Sequence, residues 1–261
     1  MKLAVTGKGG VGKTTLSALL AESFMREGKR VLAIDANPDA NLAGALGIPV
    51  TQASQITPIA DMGDLIEERT GARPGDSGGF FRLNPRVEDI PERFSTRRDG
   101  IWLLVLGTVK RGGGGCLCPE SALLSALLQH LLIQRDEVVI LDMDAGVEHL
   151  GRGTAGYVDA FIMVVEPGQR SLQTADSIRR LALDLGIKNC LVVGSKTKDE
   201  GEREFIRQHT PPGELLGFIN YHPEIAQADL LGNGVWGASP EAAAEAQEIK
   251  EQLQARWKVR P

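Results

Sequence analysis

Apolar blocks alternate with helix-length amphipathic segments along the whole chain. Blocks at 3–6, 31–34, 101–106, 138–141, 160–165, 189–193 and 215–219 read as strands. Several are unbroken runs of Val, Ile and Leu, the pattern of strands covered on both faces. Between them, apolar positions recur at helical spacing over 14–27, 54–70, 120–134, 171–185 and 240–257. The last of these opens on Ser239-Pro240, a side-chain oxygen cap followed by proline in the first turn. Such alternation calls for right-handed crossovers and a parallel sheet. The expectation is one α/β domain over residues 1–261, with a mostly parallel sheet of seven to eight strands and helices on both faces. Residues 73–100 are polar, follow no period, and read as an irregular surface insertion.

Composition narrows the function. The 261 residues carry a net charge of −5, which argues against a nucleic-acid partner held by a basic field. No apolar stretch approaches the ~18 residues of a membrane span, and the opening MKLAVTGKGG has too short an apolar run for a signal peptide. Three cysteines do not form a disulfide framework. We expect a cytoplasmic, reduced chain with no membrane insertion.

The first strand runs directly into GKGGVGKTT, which fits G-x-x-x-x-G-K-[ST] at Gly7, Gly12, Lys13 and Thr14. Backbone amides of Gly9, Gly10, Val11, Gly12, Lys13, Thr14 and Thr15 can line such a loop, with the positive end of the following helix facing the anion. This spacing assigns Lys13 to the β- and γ-phosphates and the Thr14 hydroxyl to Mg2+. The fold is therefore read as a single-domain P-loop NTPase. The bland alternative is a glycine-rich turn without a ligand.

Two acidic segments follow strands. Asp35-Ala-Asn-Pro-Asp39-Ala-Asn41 comes after the second strand, and Asp142-Met-Asp144-Ala-Gly146 follows the block at 138–141. Carboxylates there lie at the carboxyl edge of the sheet, where open α/β folds bind ligands. Asp142 is expected to serve the magnesium shell through water; alternatively, any one of these aspartates could cap a turn. Cys116 and Cys118, in GGGGCLCPE, are two apart and can turn toward one side. Two thiolates do not close a four-coordinate site, but a two-fold dimer would supply four. Chemistry alone puts Zn2+ first for such a site, with Ni2+ or Cu(I) open, and a buried or redox pair is the other reading. Cys190, inside NCLVV, reads as structural.

With Lys8 inside it, KGGVGKTT resembles the deviant Walker A motif of the nitrogenase iron protein and of the septum-site and chromosome-partitioning ATPases. That resemblance implies a nucleotide-sandwiched homodimer, ATP/ADP and Mg2+ as ligands, and Lys8 acting in trans on the partner's nucleotide. GTVKRGGGGCLCPE, LDMDAGVEHLGRGT, VVEPGQRSLQTA and FRLNPRVEDIPERF look, more narrowly, like the accessory ATPases that insert nickel into carbon monoxide dehydrogenase (the CooC family). The likeness spans nearly the whole chain. It implies Cys116 and Cys118 as ligands for Ni2+ (Zn2+ possible there), a nickel carrier timed by its nucleotide, and apo-carbon monoxide dehydrogenase as partner. Glu148 and His149 belong to its EHLGRGT stretch; for His149 a switch-loop hydrogen bond is expected, a transient metal ligand being the other reading.

Departures from that pattern carry expectations of their own. Relatives have Asp at Asn37, where it orients or deprotonates the attacking water. Asn cannot take a proton, so slow hydrolysis is expected, with Asp39 a substitute. Ser195-Lys196 stands where relatives have Asn-Lys against adenine, and Tyr221-His222-Pro223 where they favour an aspartate. Two other classes share the motif. An Fe–S electron-transfer ATPase would use single, well-separated cysteines. A positioning ATPase would use a basic amphipathic C-terminal helix; here Ile249, Leu253 and Trp257 form a stripe better suited to docking on the sheet.

Overall fold

The computed structural model describes residues 1–74, 80–108, 118–147, 150 and 152–258. Eight strands form one sheet: β1 (Lys2–Thr6), β2 (Val31–Asp35), β3 (Thr96–Arg98), β4 (Ile101–Val105), β5 (Val138–Asp142), β6 (Ala160–Val165), β7 (Cys190–Thr197) and β8 (Leu215–Asn220). Their order is β3-β4-β2-β5-β1-β6-β7-β8. Every neighbouring pair is parallel except β3 with β4. Helices of two turns or more are α1 (Lys13–Arg26), α2 (Gly63–Thr70), α3 (Pro119–Ile133), α4 (Gln169–Asp184), α5 (Glu200–Gln208), α6 (Pro223–Leu231) and α7 (Pro240–Lys258).

The continuous apolar strands are buried on both sides, because successive side chains leave a strand on opposite faces. Phe161, Met163 and Val165 of β6 join the cluster formed with α2, α3, α4 and α5. Their neighbours Ala160, Ile162 and Val164 join the cluster under α1 and α7. The C-terminal stripe is spent on this second face: Ile249 and Leu253 are buried in it, and Ser239 caps the helix by accepting from Ala242 N at 3.1 Å. Among the described residues, no helix is long and apolar enough to cross a membrane.

Two expectations need correction. The segment 73–100 is not wholly irregular: it holds a helical turn at Ile90–Phe94, buries Val87 and Ile90, and ends in β3, an antiparallel edge strand. Asp99 and Gly100, with φ of 47° and 93°, make the Asp-Gly hairpin turn into β4. The helix expected over 54–70 is broken into a turn at Ile59–Asp61 and α2. Pro58 has no N–H to continue a helix, and Ala60 N instead donates to Leu106 O at 2.9 Å.

Phe161 is fully buried in a strand flanked on both sides. Phe161→Ala is expected to lower the unfolding free energy by about 3–5 kcal/mol, read as a lower urea midpoint at unchanged slope. A loss under about 1 kcal/mol would contradict close packing there.

Candidate nucleotide site

The sheet places β1 beside β5, while the chain leaves β1 toward β2 on one side and later returns through β6 on the other. The crevice at the carboxyl ends of these strands is the switch point where doubly wound sheets take ligands. Residues 7–12 bridge β1 to α1 there. Gly7 has φ 147°, and a Cβ on it would meet Val164 O at 2.4 Å; Gly12 has φ 97°, and its Cβ would stand 3.0 Å from Ser195 Oγ. Side chains are excluded at both positions, so the loop can lie against the sheet edge with open backbone above it. Lys13 is buried at the start of α1, its Nζ donating to Lys8 O at 3.4 Å and lying 4.0 Å from Asp144 Oδ1.

Asp142 ends β5 in full burial, in register with Val5 of β1 and Asp35 of β2. Thr14 Oγ1 donates to its Oδ2 at 2.7 Å and Ser17 Oγ to its Oδ1 at 3.2 Å. Burial pushes this carboxyl up to about 7, and the Asp35 charge adds to the rise; the Thr14 hydrogen bond works against it. Thr14 Oγ1 and Asp142 Oδ2 are hard oxygen donors within one coordination sphere of each other, a set that fits Mg2+.

The loop after β2 is fixed by its own buried acid. Asp35 accepts from Asn37 N at 3.0 Å and Leu42 N at 2.8 Å, and burial raises its carboxyl above the usual range despite these bonds. Asp35 is thus a structural member of the loop. Asn37 Nδ2 donates to Asp142 O at 3.2 Å, while Asp39 stands exposed. Thr6 Oγ1 donates to Asp144 O at 2.8 Å, tying the loop after β5 to β1.

These pieces surround a cleft of about 600 Å³. Gly9, Gly10, Gly12, Lys13, Thr14, Thr15, Asp39, Ser195 and Lys196, all expected at the site, line it. Val11 is buried beneath the loop, and Asp142 lies below Thr14. Lys196 takes positive φ (58°) and donates through Nζ to Gly10 O. Lys8 turns to Glu166 of its own chain, Nζ to Oε1 at 3.1 Å.

Of the cysteine pair, Cys116 lies outside the described residues, as do Glu148 and His149. Cys118, a partly buried free thiol at the N-cap of α3, donates to Ser121 Oγ at 3.1 Å. Among the described residues no group of three or more His, Cys, Asp or Glu could hold a metal ion. Cys190 is buried, and that burial pushes its thiol up to about 11, as a structural cysteine should be.

Ser17, Glu166 and Asn220 were not legible as site residues. Ser17 sits one turn after Thr14 on α1, a spacing that does signal a shared face. Glu166, 158 residues from Lys8, carries no local sign of that pairing. Asn220 closes the cleft's far wall, far in sequence from the phosphate loop, beside Tyr221 and His222, whose departure from the relatives' pattern the sequence did show.

Residues 2–235 match the CobQ/CobB/MinD/ParA nucleotide binding domain. The chain is 50% identical over 240 residues to the carbon monoxide dehydrogenase accessory protein CooC of Rhodospirillum rubrum, covering 92% of this chain and 91% of that one. It is 43% identical over 252 residues to an uncharacterized ATP-binding protein of Methanocaldococcus jannaschii, covering 95% and 96%. Among solved structures, the MinC:MinD cell division complex of Aquifex aeolicus shares the fold, with a TM-score of 0.70 at 20% identity over 98% of this chain and 96% of that one. With the family model spanning most of the residues around this phosphate loop, the chain belongs to the CobQ/CobB/MinD/ParA nucleotide-binding family as a P-loop ATPase.

Proposed function

We propose that this chain is a nickel-carrying accessory ATPase for carbon monoxide dehydrogenase, in which nucleotide binding drives two copies together. The observation that carries the reading is half-identity to the R. rubrum accessory protein over 92% of the chain, around a phosphate site complete in its described residues. Lys13 supplies positive charge to the β- and γ-phosphates, and the loop amides with the first turn of α1 cradle them. Thr14 and Asp142 are the side chains that would hold Mg2+, which neutralises phosphate charge when bound. Ser195 and Lys196 lie against the loop itself, at Gly12 and Gly10, and line the same cleft.

Hydrolysis is slow on this account, because the residue that lines the cleft at the start of the loop after β2 is Asn37. Its amide is already donated to Asp142 O, and it cannot take a proton from water. Asp39, exposed on the same loop, is the carboxylate available to do so.

Lys8 in the single chain is paired with Glu166 while both side chains are partly exposed, 39% and 31%. Such a pair is worth at most about 1 kcal/mol, so Lys8 leaves it cheaply to reach a partner's nucleotide. Cys116 and Cys118 of each copy then make a four-sulfur set for Ni2+, the cargo, with Zn2+ able to occupy it. A packed route supports coupling between the two events. Met143, Val147 and Leu150, which follow Asp142, share a core with Leu123 and Leu127 of α3, the helix whose N-cap is Cys118.

The test is size-exclusion chromatography with metal quantification, with ADP or a non-hydrolysable ATP analogue. Wild type is expected to dimerise with the analogue and retain about one nickel per dimer, as four thiolates complete one site. Cys116→Ser/Cys118→Ser should lose the metal and keep nucleotide binding. Equal nickel in both, or a chain that stays monomeric with nucleotide and nickel, would overturn the proposal.

A second test uses the carboxyl of Asp142. A carboxyl raised in the folded state favours its proton, so its cost to the nucleotide-free fold grows as pH rises from the unfolded value near 4 to about 7. Asp142→Asn is expected to stabilise the nucleotide-free protein by ~2 kcal/mol at about pH 8, with the gain fading toward pH 5. It should also abolish Mg2+-dependent nucleotide binding. Denaturant melts at the two pH values check this; an equal effect at both would contradict it.

A further inference from the structure

The far wall of the cleft carries a polar network that phosphate binding does not use. The side-chain oxygen of Asn220, at the end of β8, is fully engaged: Oδ1 accepts from Thr197 Oγ1 at 2.7 Å and from Arg203 Nε and Nη2 at 3.0 and 2.8 Å. The Asn220 backbone N–H donates to Glu245 Oε2 at 3.0 Å, and its Nδ2 donates to Glu245 Oε1. The amide therefore has no carbonyl lone pair to offer a ligand. Glu245, on α7, also holds His222, with Nε2 to Oε2 at 2.9 Å. The His222 side chain is only 12% exposed, and the residue lines the cleft with Ser195 and Lys196. Among the described residues its Nδ1 makes no hydrogen bond.

A carboxylate only accepts, so its contact with Nε2 places a hydrogen there. The neutral ring then presents Nδ1 as a lone-pair acceptor, fixed in orientation by the bond on its other side. Purines differ at the six position: adenine offers an amino donor and guanine a carbonyl acceptor. An acceptor on the cleft wall pairs with the first and leaves two acceptors facing each other with the second, a mismatch that costs more than a missing contact.

We propose that His222, oriented by Glu245, is the specificity-determining residue for the base, accepting from the 6-amino group of adenine and disfavouring 6-oxo purines. This rests on the nucleotide reading above and deepens it: the histidine lies just past the carboxyl end of β8, the parallel neighbour of the strand that carries Ser195.

The test is calorimetric titration at about pH 8, in Mg2+, with ADP, inosine diphosphate and the 6-unsubstituted purine riboside diphosphate. Wild type should bind ADP ~10-fold more tightly than the 6-unsubstituted compound, and inosine diphosphate most weakly. In His222→Ala, ADP affinity should fall to that of the 6-unsubstituted compound, whose own affinity moves less than about twofold. Equal affinity of wild type for all three diphosphates would overturn the proposal without any variant. So would a His222→Ala loss that is the same for ADP and the 6-unsubstituted compound, or no loss at all. Failure of wild type to bind any of the three would instead remove the nucleotide reading, and this inference with it.

Discussion

A buried carboxylate held by two hydroxyls organises this molecule. Asp142 ends the strand next to β1, and Thr14 and Ser17 of α1 reach down to its two oxygens. Those bonds join the end of β5 to the first turn of the helix that carries the phosphate loop. Removed from water, the carboxylate is costly; what offsets it is Lys13 nearby and the two hydroxyl donors. Asp35, its register neighbour in β2, adds negative charge beside it and is held by backbone amides from its own loop. The arrangement stores electrostatic tension that a bound cation would relieve, one way a fold gives up stability for function.

Most of this was legible along the chain, for identifiable reasons. Strands buried on both faces leave uninterrupted apolar runs, so every central strand was visible, and GKGGVGKTT directly after one of them placed the phosphate loop. What escaped were features with weak local pattern. β3 is three polar residues, Thr-Arg-Arg, whose pairing comes from the hairpin and not from an apolar face; the Asp99-Gly100 turn was the only signal. The expected helix over 54–70 had suitable periodicity, but Pro58 overrides periodicity by removing a donor. α6 has Leu230 and Leu231 exposed, so its apolar residues follow no buried stripe.

The site divides in the same way. Residues of the phosphate loop are neighbours in sequence and appear together; the groups that complete the cleft come from the loops after β2 and β5 and the ends of β7 and β8, with α7 behind them. The Lys8–Glu166 pair, the Asn37–Asp142 contact and the wall built from Thr197, Asn220, His222 and Glu245 arise only when the sheet assembles. The C-terminal helix illustrates the distinction: its apolar stripe was readable as a docking face, but Glu245 on the same helix gains its meaning only from the strand end it meets.

The account stands on Thr14 and Asp142 acting as one oxygen pair at the head of α1, and Thr14→Val, which keeps the shape and deletes the hydroxyl, tests it most directly. Calorimetry of ADP binding with and without Mg2+ is the measurement. The wild-type gain in affinity on adding Mg2+ should fall by ~10-fold or more in the variant, while binding of metal-free ADP stays nearly unchanged. The same Mg2+-dependent gain in both proteins would contradict the account.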